Sequence, residues 1–425
     1  MNTHFSPSIL DDLETRDPHE RERDLMRRLP ALVAQAQSAA GWARILQGVE
    51  AAAIDHRGAL AQLPVTRKSQ LSELQQQDAP FGGLTSTAPR ALSRICMSPG
   101  PIFDPAGRSS DPWRFARPMY AAGVRAGGLL QNCFSYHFTP AAFMVEGGAA
   151  RICCTVIPAG SGQTELQVQA MATLRPDTYV GTPSFLKLIL EKAAETGSDV
   201  SSLRHALLSA EALPDSLRKW FVEHGVPHVC QAYASADAGS IAYETRTDGA
   251  LDPGMVLDEE VILEIVKPGT GEPVAPGDVG EVVLTVFNPD YPLIRFATGD
   301  LSALLVDAAP SPCGRTNARI RGWLGRADQT TKVRAMFVHP SQVHEVARRH
   351  GIAKARLVVS GTIADETMML QCEVDDPGAS TAAGSGAAIV ATLRDVTKLR
   401  GEVLFVQRGS LPNDGKVIDD RRRYD

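Results

Sequence analysis

The chain has 425 residues, of which 44% are hydrophobic and 22% charged, with a net charge of −6. That length suits about two or three globular domains, and the composition excludes a disordered chain. The two signs of charge are nearly balanced and interspersed, which excludes a dedicated nucleic-acid binder with its concentrated basic face. The dense basic runs, at 21–28 and 421–423, read as solvated surface. No stretch reaches the ~20 apolar residues of a membrane span. The polar, acidic start of the chain is unlike a secretory leader, so the expected location is the cytoplasm. Seven scattered cysteines without a CxxC pair read as reduced thiols.

The first ~80 residues read as helical, and residues 94–111 as a Pro/Gly-rich loop. From about 115 to 245, apolar runs alternate with amphipathic helices. Residues 152–160, 178–183, 204–211 and 226–234 are the predicted strands, and 183–195 and 214–224 the predicted helices between them. Strand–helix alternation implies parallel βαβ units. In this reading Cys153 and Cys154 are neighbours on a strand and point to opposite faces. Residues 259–287 form two strands around a turn-rich segment, an antiparallel hairpin. Beyond about 328 a small α+β unit is predicted, with strands at 356–361, 368–374 and 402–408 and a helix at 387–400.

Two segments carry chemistry. Residues 291–301, YPLIRFATGDL, end a strand in an acidic turn at Asp300. Residues 325–334, GRADQTTKVR, place Arg326 two positions before Asp328 at an expected joint between domains. An ionised carboxylate accepts two hydrogen bonds from vicinal hydroxyls, as a ribose presents them. Arginine and lysine suit phosphates. The pair points to a nucleotide used across a hinge.

Several segments occur in an order that resembles the adenylate-forming enzymes, most closely the phenylacetate–CoA ligase-like branch. They are LPVTRKSQL (63–71), APFG (79–82), TPSFLKLILE (182–191), SAEALP (209–214), the acidic turn, the hinge segment and the tail LPNDGKVIDDRR (411–422). The resemblance implies a large multi-sheet α/β N-terminal domain, residues 1–327, and a small α+β lid, 328–425, that rotates between two steps. It implies ATP-dependent activation of a small, aromatic carboxylic acid as an acyl-adenylate, then transfer to coenzyme A. A carrier-protein or amine acceptor, or a non-catalytic nucleotide-binding homologue, stays open at this point.

The same resemblance assigns residues. Asp300 takes the ribose hydroxyls, Arg326 reaches ribose or phosphate, and Asp328 is the hinge. Lys416 bridges the attacking carboxylate and the α-phosphate, where a cation between two approaching anions stabilises the transition state. Lys332 enters the site when the lid turns. Ser209, Ala210 and Glu211 lie along the adenine, Tyr233 stacks on it, and Ala234 and Ser235 continue that segment. Ala236 stands where a hydroxyl residue is expected, so Ser235 is the candidate phosphate contact. Asp237 stands in for glutamate as the Mg²⁺ ligand, with Glu244 a second choice. The acid pocket falls to Tyr136 and Phe138, with His137 between them. The loop at 98–105 has prolines and an acid where a glycine-rich, lysine-bearing phosphate loop is expected, and Ala335 replaces a hinge-loop glycine. The branch favours homodimers, and this chain has too few Cys and His near 245–257 and 313 for a zinc site.

Overall fold

The alternation between 115 and 245 produces the sheet it predicts. The computed structural model describes residues 9–98, 101–306, 310–329, 331–333, 336–362, 365–378, 385–412 and 416–422. An eight-stranded sheet runs in the order Arg319–Ile320, Met255–Leu257, Gly239–Tyr243, His228–Ser235, His205–Leu208, Thr178–Gly181, Leu129–Asn132, Thr155–Ile157. Its last five strands are mutually parallel, and Gly239–Tyr243 turns back antiparallel. A four-stranded sheet has the order Thr66–Arg67, Leu293–Ser302, Gly280–Val286, Val261–Val266. Its last two strands form the expected antiparallel pair, Val261 opposite Val286.

Helix Pro183–Thr196 shows why the units form. Thr182 caps its start by accepting from the Phe185 amide, Pro183 sits in the first turn, and Gly197 ends it at φ 64°. Leu186, Ile189, Leu190 and Ala193, spaced i, i+3, i+4 and i+7, are buried against the sheet. Each of the larger three contributes roughly 1.5–3 kcal/mol through removal from water.

The chain divides into two compact units, Met1–Thr298 with Ala303–Trp323, and Gly299–Ser302 with Leu324–Asp425. The smaller contains a four-stranded sheet in the order Glu402–Gln407, Asp365–Val374, Ala355–Thr362, Ile418–Asp420. Helices Pro340–Arg349 and Ser385–Thr397 bury Val343, Val346, Ile389 and Leu393 with Leu357, Val359 and Leu370 of that sheet.

Four expectations are corrected. Residues 94–106 are a hairpin, Arg94–Ser98 paired with Ile102–Ala106 in register Arg94↔Ala106 to Ser98↔Ile102. Pro105 is tolerated within its strand because, among the described residues, the sheet has two strands and both are edges. The Gln75 amide serves one edge, donating to the Phe103 carbonyl at 2.9 Å and accepting from its N–H at 2.7 Å. Cys153 is not on a strand: helix Ala141–Ile152 runs up to it, and it caps the helix at φ 63°. The basic run at 21–28 is not all solvated, since Arg21 is buried against Glu259 at 2.7 Å and Arg28 pairs with Glu260. Arg422 likewise pairs with Glu366 and Asp420. Charge density alone does not distinguish a wetted basic run from one facing buried acids.

The strands His205–Leu208 and His228–Ser235 stack two imidazoles, His205 and His228, with centroids 5.0 Å apart. Burial first, then the neighbouring His228, lowers the His205 pKa to about 4 from an ordinary 6.5. The charged form is the one the fold disfavours, so this contribution is complete above pH 6.5 and is lost as the pH falls towards 4. Urea denaturation should lose about 2–3 kcal/mol of stability across that window through this residue, and His205→Gln should flatten the slope. An unchanged slope in the variant would refute the assignment.

Candidate active site

The expected acidic turn is a kink inside a continuous strand, Leu293–Ser302. Gly299 has φ 78°, and a Cβ there would stand 2.6 Å from Arg326 Nη2. Only glycine gives both the left-handed backbone and the close approach. The kink leaves Asp300 forming a bridge with Arg326, whose Nη1 donates to Asp300 Oδ1 at 3.1 Å. The Arg326 side chain is 39% exposed and that of Asp300 14%, so the pair is open to solvent on one side. Two residues singled out from separate motifs are thus in contact within the smaller unit.

Lys416 is exposed and stands just before the strand Ile418–Asp420. The next residue is fixed by its N–H, which Val417 donates to Gln329 Oε1 at 2.7 Å, and Ile418 pairs with Leu357. Asp328 has its backbone in the short 3-10 turn Ala327–Gln329. The side chains of Asp328 and Lys332, all of Ala335, and the turn 413–415 lie outside the described residues.

In the larger unit, strand His228–Ser235 carries Tyr233, Ala234 and Ser235 and shifts register between Tyr233 and Ala234. Tyr233 is buried, its hydroxyl 3.3 Å from Thr298 Oγ1. The Ser235 hydroxyl accepts from the Ala238 N–H at 3.1 Å and closes the turn that presents Asp237. Ser209 donates to the Ala232 carbonyl at 2.8 Å, and Ala210 has φ 69°. The Glu211 carboxylate accepts from the Ser184 N–H and hydroxyl at 3.1 and 2.8 Å, at the start of helix Pro183–Thr196. A carboxylate at a helix N-terminus is favoured by the helix dipole.

Asp237 is buried, and its Oδ2 accepts from Lys68 Nζ at 2.5 Å. Lys68 lies in the segment 63–71, and its role at this site is not legible from the sequence. A buried carboxylate at 237 demands a cation, and that demand is the signal that could have led to it. Asp104, from the hairpin, lies close by. Burial, then the charge of Asp237, holds its carboxyl well above the ordinary carboxylate range, while Ser98 and Lys68 pull it down. Glu244, the second choice for the metal, is already engaged by Arg218 at 2.7 Å and the Gln231 N–H at 2.6 Å.

The residues proposed for the acid pocket are not gathered against one another. The Tyr136 hydroxyl donates to Glu146 at 2.6 Å, accepts from Asn132 at 2.9 Å, and the ring meets Phe143 edge-on at 5.6 Å. Phe138 is 57% exposed and packs against His137. A cavity of about 350 Å³ lined by Leu60, Ala61, Leu263, Pro273 and Val274 contains none of the site residues. Among the described residues no group of three or more His, Cys, Asp or Glu is placed to hold a metal ion, and no helix is long and apolar enough to cross a membrane.

The profile of the AMP-binding enzymes matches residues 130–286, the stretch holding the parallel strands, Ser209–Glu211 and Tyr233–Asp237. A phenylacetate–coenzyme A ligase of Thermus thermophilus is 30% identical over 351 residues, covering 79% of this chain and 77% of that protein. This chain belongs to the phenylacetate–CoA ligase-like branch of the adenylate-forming enzymes. It is an AMP-forming acid–CoA ligase. A phenylacetate–coenzyme A ligase of Escherichia coli K12 is 28% identical, covering 71% of this chain and 70% of that one. An open-conformation structure of 2-hydroxyisobutyryl-CoA ligase has the same fold, with TM-score 0.83, 22% identity, and 99% and 96% of the two chains covered.

The Lys68–Asp237 pair makes a prediction within this ligase. Lys68→Met strands a buried carboxylate and should cost about 3 kcal/mol in urea denaturation without Mg²⁺. The double variant Lys68→Met/Asp237→Asn should recover most of that loss. If the two single changes simply add, the pair is not coupled.

Proposed function

We propose that this ligase activates a small aromatic carboxylic acid with Mg²⁺-ATP, each residue acting in the role drawn from the family motifs. The observation that carries the reading is the Asp300–Arg326 pair. It sets a half-exposed cation beside a carboxylate, so an arriving nucleotide can exchange ribose hydroxyls and phosphate for the contacts the two side chains now make with each other. Tyr233 offers a ring to the adenine, and the backbone at Ser209, Ala210 and Glu211 and at Ala234 lies along its edge. Ser235 is the hydroxyl nearest the phosphates in sequence, at the cost of its present bond to Ala238.

Asp237 is the proposed metal ligand, and its fit is supported by Oδ1, which is buried and has no hydrogen-bond partner. Mg²⁺ bound there would supply positive charge to the triphosphate and to the departing pyrophosphate. Lys68, held beside Asp237, supplies a cation to the same region, where the hairpin 94–106 carries no lysine. Lys416 then stands between the attacking carboxylate and the α-phosphate. Asp328 is the hinge, and residues 328–425 form the lid that exchanges the adenylation groups for those of thioester formation. Tyr136 and Phe138 flank the acid, with the aromatic preference supported by relatives named for phenylacetate. The same proposal has the enzyme cytoplasmic and homodimeric.

Pyrophosphate release measured across phenylacetate, benzoate and aliphatic acids should be fastest for an aryl acid and should yield its CoA thioester. Release with aliphatic acids alone would overturn the substrate class. Lys416→Ala should lower adenylation by on the order of 100-fold or more, while thioester formation from supplied acyl-adenylate is largely kept. Equal loss of both half-reactions would remove Lys416 from its role.

A further inference from the structure

The larger unit buries more unpaired oxygen around Asp237 than one carboxylate ligand requires. Asp104 is 1% exposed, and outside this cluster neither of its carboxylate oxygens has a hydrogen-bond partner. Asp237 Oδ1, the Ser98 hydroxyl and the Tyr291 hydroxyl are also buried without a partner outside it. These atoms belong to one place. Asp104 lies against both Asp237 and Ser98, and Tyr291 is within reach of the charges of both carboxylates. Three stretches of chain bring them there: the hairpin carries Ser98 and Asp104, the turn after His228–Ser235 carries Asp237, and Tyr291 precedes strand Leu293–Ser302.

Buried oxygen without a donor is costly, and two carboxylates side by side cost more. Lys68 brings one positive charge, and its contact with the cluster is at Asp237 Oδ2. The atoms left over are all hard oxygens, with no sulfur or imidazole among them, which is the ligand set of a small divalent cation. Mg²⁺ and Mn²⁺ use one or two protein carboxylates and complete their shell with water or phosphate.

We propose that Asp104 is a second protein ligand, so that the divalent cation is held between Asp104 and Asp237 with the Ser98 hydroxyl beside them. This rests on the reading of Asp237 as a metal ligand. It gives the hairpin 94–106 a function: where it has no lysine to bind phosphate directly, its acid binds the cation that does. It also predicts that the metal binds before the nucleotide, because two carboxylates give the protein its own affinity for the ion.

The test is Mn²⁺ binding to the full chain without nucleotide or acid, read by electron paramagnetic resonance of the free ion and by the Mn²⁺-induced rise in Tm. Wild type should bind one equivalent, and Asp104→Asn and Asp237→Asn should each weaken binding by at least about 10-fold. Without metal, Asp104→Asn should fold and melt no lower than wild type, because the amide keeps the shape of the carboxyl group. Asp104→Glu, which keeps a carboxyl group, should retain part of the binding and serves should the asparagine variant fail to fold. Mn²⁺ binding by Asp104→Asn equal to wild type, with binding lost in Asp237→Asn, would overturn the second ligand and leave the single-carboxylate reading standing. Binding unaffected by either change, or absent from wild type, would overturn both as a nucleotide-free site. Pyrophosphate release by the same preparations tests acid activation separately.

Discussion

A carboxylate taken out of water must be given a cation, and this constraint organises the larger unit. Asp237 is met through Oδ2 by Lys68, which is 169 residues away in the chain, and that contact draws the segment at 63–71 to the turn after strand His228–Ser235. Glu14 is met by Arg315 at 2.7 Å, Glu259 by Arg21 at 2.7 Å, and Glu264 by Arg295 at 3.0 Å. Each pair joins segments remote in sequence. Such pairs add little net stability over apolar packing, but breaking one leaves a buried charge uncompensated. They therefore act on register and placement more than on the depth of the energy well.

The apolar framework carries the rest. The parallel strands bury residues such as Val180, Leu207 and Cys230 on one face and Tyr179, Ala206 and Val229 on the other. Helix Pro183–Thr196 covers one of those faces, and the strand ends are left to carry polar side chains. Ser209, Tyr233 and Asp237 all lie at or just past the C-terminal ends of such strands, where an open α/β sheet places its ligands. Chemistry sits there because the apolar periodicity stops there.

Much of this was legible in the residues. The periodicity of 183–195 gave a helix within a residue of Pro183–Thr196, and the β-rich runs at 178–183 and 226–234 gave strands within two or three residues of Thr178–Gly181 and His228–Ser235. Short-range chemistry was legible where it is local: the cap at Thr182, the glycine at 299, the arginine at 326. The hairpin at 94–106 was not, because its prolines and glycine read as a loop when the absence of a neighbouring strand on either edge is unknown. Cys153 was not, because a helix end and a strand start share the same apolar letters there.

By itself the sequence determined the family, the reaction class and the order of the elements, since these depend on composition, local periodicity and motifs of a few residues. Only the tertiary structure decided which charges meet. Nothing in 63–71 names Asp237 as the partner of Lys68, and nothing in 101–106 says that Asp104 is buried beside it. Pairing of buried charge is a property of three-dimensional distance and lost hydration, and neither quantity is written along the chain.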